Sequence, residues 1–165
     1  MTEQIYSRNA RKIIQNRKIL ESSLGVKLSV KTGIVFLEGK SEDEFLALRV
    51  IEAIDLGFSI ETALLLKEEE MAFEKVFIKK IEKRTDMSQV RARIVGTNRK
   101  ALDTIESLAN CYISLHDNTL GVIGKLESVK KALFVLKRII AGSKHAKMYA
   151  WLEAKNAEEK GGFYN

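Results

Sequence analysis

Apolar residues recur along this chain in two rhythms, every three or four positions and every second position, and these predict alternating helices and strands. Residues 8–24 carry the helical rhythm with a basic outer face, and the start is expected to break near Ser7 to Ala10. Val26–Val30 and Ile34–Leu37 alternate as strands and meet at Thr32-Gly33, a pair suited to a tight hairpin. A helix over 41–56 opens on Ser41 with Glu44 three residues on, the pattern of a capping box, and stops at Gly57. Ser59 and Thr62 open another helix over 59–70. From 74 to 81 the pattern alternates again, until Thr85-Asp86 breaks it. A short helix over 88–94 leads to the polar turn Gly96-Thr97-Asn98-Arg99, then a helix over 100–109 with apolar residues at 101, 102, 105 and 108. Strands 111–115 and 119–123 meet at Asp117-Asn118, and helices over 127–141 and 146–159 finish the chain, with 160–165 irregular.

The pattern repeats. Displaced by 85 positions, Leu20-Glu21 falls on Ile105-Glu106, Leu28-Ser29-Val30 on Ile113-Ser114-Leu115, and Gly39-Lys40 on Gly124-Lys125. Ala47-Leu48 falls on Ala132-Leu133, Ile54 on Ile139 and Gly57 on Gly142. Turn glycines recur along with the apolar positions, so two copies of one unit are expected rather than two unrelated amphipathic runs. Boundaries at 1–72 and 73–160 follow, with 59–70 as connecting helix and the last helix belonging to the second copy.

A helix, a short glycine-led turn, a second helix and a strand follow one another over 93–115. This order resembles a KH domain, in which the turn brings backbone amides to nucleic-acid phosphates and an apolar groove takes the bases. Arg93-Ile-Val-Gly96, Ile105-Glu106 and Tyr112-Ile-Ser114 are similar to the second KH domain of the small-subunit ribosome assembly factors called partner of Nob one. Ile139-Ile-Ala-Gly-Ser-Lys-His-Ala-Lys-Met-Tyr149 is similar to that family's tail, and Ile54-Asp-Leu-Gly-Phe-Ser-Ile-Glu-Thr-Ala-Leu64 to its inter-domain helix. The likeness runs over about residues 5–155.

It implies two tandem type I KH domains, α/β (α+β) in class, each a three-stranded sheet, antiparallel or mixed, with helices packed on one face. It implies a non-catalytic protein that binds the 3′ region of small-subunit ribosomal RNA, or its precursor, during ribosome maturation. The partners it implies are single-stranded ribosomal RNA, the Nob one nuclease and the alpha subunit of translation initiation factor two. Nuclear members carry an N-terminal extension that this sequence lacks, so an archaeal-type, cytoplasmic, monomeric protein is expected.

Charge supports a polyanion partner and places it. Residues 1–72 are net −2 and residues 73–165 net +8. Nine basic residues against two acidic ones crowd 75–100, among them Lys79, Lys80, Lys83, Arg84 and Arg91. Such density favours phosphate neutralisation with counterion release. Arg91 and Arg93 would lie about 200° apart on a helix, so only one can face a given strand; Arg93, next to the turn, is preferred.

The expected RNA contacts are Arg93, Gly96, Thr97, Asn98, Arg99 and Lys100 at the turn, and Ile94, Ile113 and Leu115 lining a groove for about four unstacked bases. Lys144 and Lys147 join them, because cations at a helix start oppose its dipole and suggest an external anion. The usual turn is glycine, two residues, glycine. Here Arg99 stands at the second glycine, where its guanidinium could grip a phosphate. Replacing Gly96 with Asp is expected to weaken binding without unfolding the chain. In the first copy the same displacement puts Arg11-Lys-Ile-Ile14 at the turn, with no glycine, so that copy is expected to be structural or to bind protein. An adaptor that keeps the scaffold without reading RNA is the alternative.

Enzyme chemistry finds little footing. One cysteine, Cys111, excludes an internal disulfide and reads as a small buried side chain. With His116 and His145 it lacks zinc-site spacing, so neither metal nor cofactor is expected. The acidic clusters at 42–44 and 68–70 sit at helix ends, where caps and solvent explain them. Tyr149 and Trp151 are expected to pack on the domain rather than stack on bases. No apolar run reaches about 20 residues, so no membrane helix is expected.

Overall fold

A computed structural model describes residues 2–83 and 86–161. Part of the expected break at Thr85-Asp86, the basic residue Arg84 and residues 162–165 lie outside the described residues. The chain divides into two compact units, Met1–Phe73 and Glu74–Asn165. No described helix is long and apolar enough to cross a membrane.

The first unit runs β1 (Thr2–Tyr6), α1 (Ala10–Gln15), α2 (Arg17–Leu24), β2 (Lys27–Lys31), β3 (Ile34–Glu38), α3 (Ser41–Asp55) and α4 (Ile60–Leu64). The sheet has the order β1-β3-β2, both pairings antiparallel, with Leu28 opposite Leu37 and Val30 opposite Val35. Leu28, Val35 and Leu37 are buried with Ile13, Leu20, Val50, Ile51 and Ile54 of the helices. The strand β1 carries no clear alternation and was not expected. Its exit is fixed by tertiary contacts: the Ser7 hydroxyl donates to Asp55 Oδ1 at 2.6 Å, and Asn9 Nδ2 donates to the Ile54 carbonyl at 3.1 Å.

Helix 8–24 is two helices, parted at Asn16, whose Nδ2 donates back to the Lys12 carbonyl at 2.8 Å. Helix 59–70 also ends early, at Leu64, and passes into a 3-10 turn over Leu65–Lys67. Ser59 caps it as expected, accepting from Thr62 N at 3.1 Å. Ser41 makes no cap bond; instead Glu44, buried, reaches back past it and accepts from Gly39 N at 3.0 Å.

The second unit repeats the plan: β4 (Met71–Phe77), α5 (Ile78–Ile81), α6 (Ser88–Val95), α7 (Lys100–Ala109), β5 (Cys111–His116), β6 (Thr119–Lys125), α8 (Leu126–Ile140) and α9 (His145–Gly161). Its sheet has the matching order β4-β6-β5, and β5 and β6 are antiparallel with Ile113 opposite Val122. The expected strand 74–81 is four residues too long, because Ile78–Ile81 turns into α5 with Ile78 buried. Ile105, Leu102, Val129, Leu136 and Ile139 form the helical side of this core. Full burial of each such side chain is worth about 1.5–3 kcal/mol. Cys111 is buried beside them, and burial, with Glu106 nearby, pushes its thiol up to about 12, so it carries no thiolate near neutrality.

Both units therefore share a strand, a helix pair, two strands and a helix in that order, and the same sheet order, with the short α5 added before the helix pair of the second. The displacement of 85 holds after the turn, where α2 and α7 end at residues 24 and 109. Before it, the copies part: residues 96–99 lie between α6 and α7, but only Asn16 lies between α1 and α2. Arg11–Ile14 therefore lie inside α1 and are not the counterpart of the turn.

Candidate nucleic-acid interface

The helix α6 stops because Gly96 takes φ +77° and ψ 171°, a conformation that side chains rarely adopt. It also allows a close approach: a Cβ there would lie 2.8 Å from both the backbone N and the Cβ of Ala101. Asn98 and Arg99 follow in left-handed geometry at φ 53° and 63°. Asparagine tolerates this; arginine does so at a cost of about 1–3 kcal/mol unless its surroundings hold it.

The surroundings do hold Arg99. Its guanidinium pairs with Asp103 and Glu106, one and two turns along α7, and Nη2 donates to the Ile113 carbonyl at 2.6 Å. Burial alone would pull the group down, but the hydrogen bonds it donates to Glu106 and Asp103 outweigh it and hold Arg99 above the ordinary arginine range. The expectation of a phosphate-gripping Arg99 is thus corrected. From a left-handed position its side chain runs back along α7 and ties the turn to β5. Glu106 completes the tie by accepting from Ile113 N at 3.0 Å.

Beside the turn, between α6 and the β5–β6 hairpin, lies a groove lined by Arg91, Ala92, Val95, Leu115, Asp117 and Asn118. Arg91 Nη1 donates to Asn118 Oδ1 at 2.6 Å, closing one end. Of the three expected groove residues only Leu115 lines it. Ile94 and Ile113 are 0% and 2% exposed; they form the core beneath, because the same helix face and strand face that meet the sheet carry them. Val95 and Ala92 supply the apolar wall instead.

Arg93 is not on the groove. It points toward the junction of α8 and α9, donating from Nη2 to the Ser143 carbonyl at 2.6 Å, and its own carbonyl accepts from His145 Nε2 at 2.9 Å. The preference for Arg93 over Arg91 is thereby reversed for the groove. Lys144 and Lys147 are exposed at the start of α9, and Lys147 lies about 200° around that helix from His145. Thr97, Asn98 and Lys100 are exposed on the turn itself. Trp151 packs within the second unit, stacking on Phe134 at 4.3 Å between ring centroids, with Arg138 and Lys155 over the two rings.

The sequence signal for Arg91 and Val95 was present but ambiguous. Both flank buried Ile94 on a helix, as Arg93 does on the other side, and only the placement of β5 decides which flank faces the groove. No group of His, Cys, Asp or Glu able to hold a metal ion occurs among the described residues.

Residues 72–157 match the family model of the second PNO1 KH domain, a eukaryotic type KH-domain (KH-domain type I). The chain belongs to this family. It is 29% identical over 151 residues to the KH domain-containing protein MJ0443 of Methanocaldococcus jannaschii, covering 87% of this chain and 66% of that protein. It is 27% identical over 139 residues to the RNA-binding protein PNO1 of Oryzias latipes, covering 79% and 57%. The chain thus spans somewhat under two thirds of the curated relatives it matches. The fold is that of Dim2p from Pyrococcus horikoshii, at a TM-score of 0.82 and 24% identity over 93% of this chain and 99% of that one. It also matches the crystal structure of an a/eIF2alpha–aDim2p–rRNA complex from the same organism, at a TM-score of 0.85 and 24% identity, covering 96% and 95% of the two chains. The type I KH plan accounts for the sheet order, the helix pair and the turn that joins it.

Proposed function

We propose that this protein is a non-catalytic RNA-binding factor whose second KH unit holds a single strand of the 3′ region of small-subunit ribosomal RNA, or of its precursor, during ribosome maturation. The observation that carries this is the turn Gly96–Arg99, which the packing of Gly96 on Ala101 and the inward pairing of Arg99 hold in a left-handed course outside the core. Backbone amides there can meet phosphates, while Thr97, Asn98 and Lys100 stay exposed beside them. Bases lie in the groove against Val95 and Leu115, with Arg91 and Asn118 at its polar end. Ribosomal RNA is favoured by the solved complex that shares this fold and by the relative named an RNA-binding protein. The alpha subunit of translation initiation factor two, present in that same complex, is the protein partner we infer. The Nob one nuclease is a second inferred partner, on the family resemblance alone.

The test is a titration of the whole chain with short single-stranded RNA by fluorescence anisotropy. Thr97→Asp/Asn98→Asp puts two carboxylates on the turn without touching Gly96 or Arg99. An affinity loss of at least about tenfold, or 1.4 kcal/mol, is expected; unchanged affinity would remove the turn from the interface.

An adaptor role has one observation in its favour. In the first unit, beside the break at Asn16, Ile14 and Ile19 are 54% and 53% exposed among Arg17 and Lys18. If Ile14→Asp/Ile19→Asp releases a protein partner while RNA affinity is kept, both readings hold, one in each unit.

A further inference from the structure

A second depression lies on the other flank of the turn, between α7 and α9. Arg93, Thr97, Lys100, Thr104, His145 and Tyr149 line it. Thr97 and Lys100 belong to the turn or to the residue after it, so the turn forms a ridge with the groove on one side and this cleft on the other. Two permanent cations and a histidine border the cleft, and no carboxylate does among the described lining residues. Acidic side chains enter only farther along α7 and α9, as Asp103 and Glu153, and Asp103 is already paired with Arg99.

The lining is held in place. The Arg93 guanidinium is anchored by the Ser143 carbonyl, and His145 by the Arg93 carbonyl. Because His145 Nε2 donates that bond, Nδ1 is the ring's other polar atom. Tyr149 packs edge-on against the same ring, 6.0 Å between centroids, and the Thr104 hydroxyl donates to the Lys100 carbonyl at 2.8 Å. Ordered cations around an open cleft suit a phosphate better than a buried neutral ligand, since their solvation is kept until the anion arrives.

We propose that this cleft is a second phosphate site for the same RNA strand, taking the phosphodiester that follows the one on the turn. The inference rests on the reading of the turn and groove as the RNA interface and extends the strand's path beyond it. Arg93, which misses the groove, thereby gains a ligand. The strand is held on both flanks of the ridge, and a tetranucleotide confined to the groove does not reach the cleft.

The test uses the whole chain with two probes, a four-nucleotide and a ten-nucleotide single-stranded RNA. Thr104→Glu sets a carboxylate in the cleft, and Thr104→Gln sets the same bulk there without charge. For the longer RNA, Thr104→Glu is expected to weaken binding about tenfold, while Thr104→Gln stays within about twofold of the parent. For the tetranucleotide neither variant changes affinity. Thr104→Glu binding the longer RNA as the parent does overturns the cleft, and so does an equal loss with Glu and Gln. Failure of the underlying reading shows elsewhere: the Thr97→Asp/Asn98→Asp variant would then bind the tetranucleotide normally, whatever position 104 carries.

Discussion

An added Cβ at residue 96 would sit 2.8 Å from the backbone of Ala101, and its φ of +77° disfavours side chains even where space exists. Gly96→Asp, which the sequence pattern presents as a clean binding variant, is therefore expected to destabilise the second unit by about 2 kcal/mol or more. A urea denaturation midpoint lowered along with RNA affinity is the outcome to look for, and an unchanged midpoint would show that the turn relaxes freely. Arg99 invites a sharper comparison. Arg99→Ala keeps a non-glycine residue in left-handed geometry and deletes both ion pairs, a loss of about 1–2 kcal/mol once partial exposure is allowed for. Arg99→Gly loses the same pairs but regains a relaxed backbone, so it should be more stable than Arg99→Ala by about 1 kcal/mol. The reverse order in thermal melts would mean the left-handed arginine is unstrained.

At the scale of elements, most of the plan could be read from periodicity. The helix 100–109 and the hairpin strands fall where spacing puts them, since one face of each is buried and alternation records burial directly. What could not be read has a common cause. The strand β1 is held by pairing to β3 and by the Ser7–Asp55 bond rather than by a buried face of its own, so its sequence shows little alternation. The break at Asn16 lies within a run whose apolar spacing continues across it. The groove lining was mistaken because buried and exposed apolar residues look alike in a sequence: Ile94 and Val95 are neighbours, and one is core while the other is wall. Helix α2 also yields a pH prediction. Glu21 is held below its ordinary value of 4.5 by the Leu28 amide first and Arg17 second. A carboxylate depressed in the folded state stabilises above its unfolded value and ceases to do so as pH falls through the folded one. Glu21→Gln should therefore shrink the stability lost between neutral pH and about pH 3 in acid denaturation; an unaltered acid limb would discount the interaction.

Across the whole molecule the charge is divided, net −2 over residues 1–72 and net +8 over 73–165. Binding through the second unit alone predicts that RNA affinity falls steeply with salt, with log–log slope close to −0.7 per phosphate contacted. Lys100→Ala should lower that slope by about one contact, whereas Lys18→Ala in the first unit should leave it untouched. A slope altered equally by both would place RNA on the two units alike.

Glu21 and Glu106 stand at matching places and do the same thing: each carboxylate accepts the amide of the strand that follows, Leu28 at 2.8 Å and Ile113 at 3.0 Å. The same fastening therefore occurs in both units, and the glycine-led turn in the second. The carboxylate that ties helix to strand is a different residue from those of the turn, so altering the turn need not undo the frame around it.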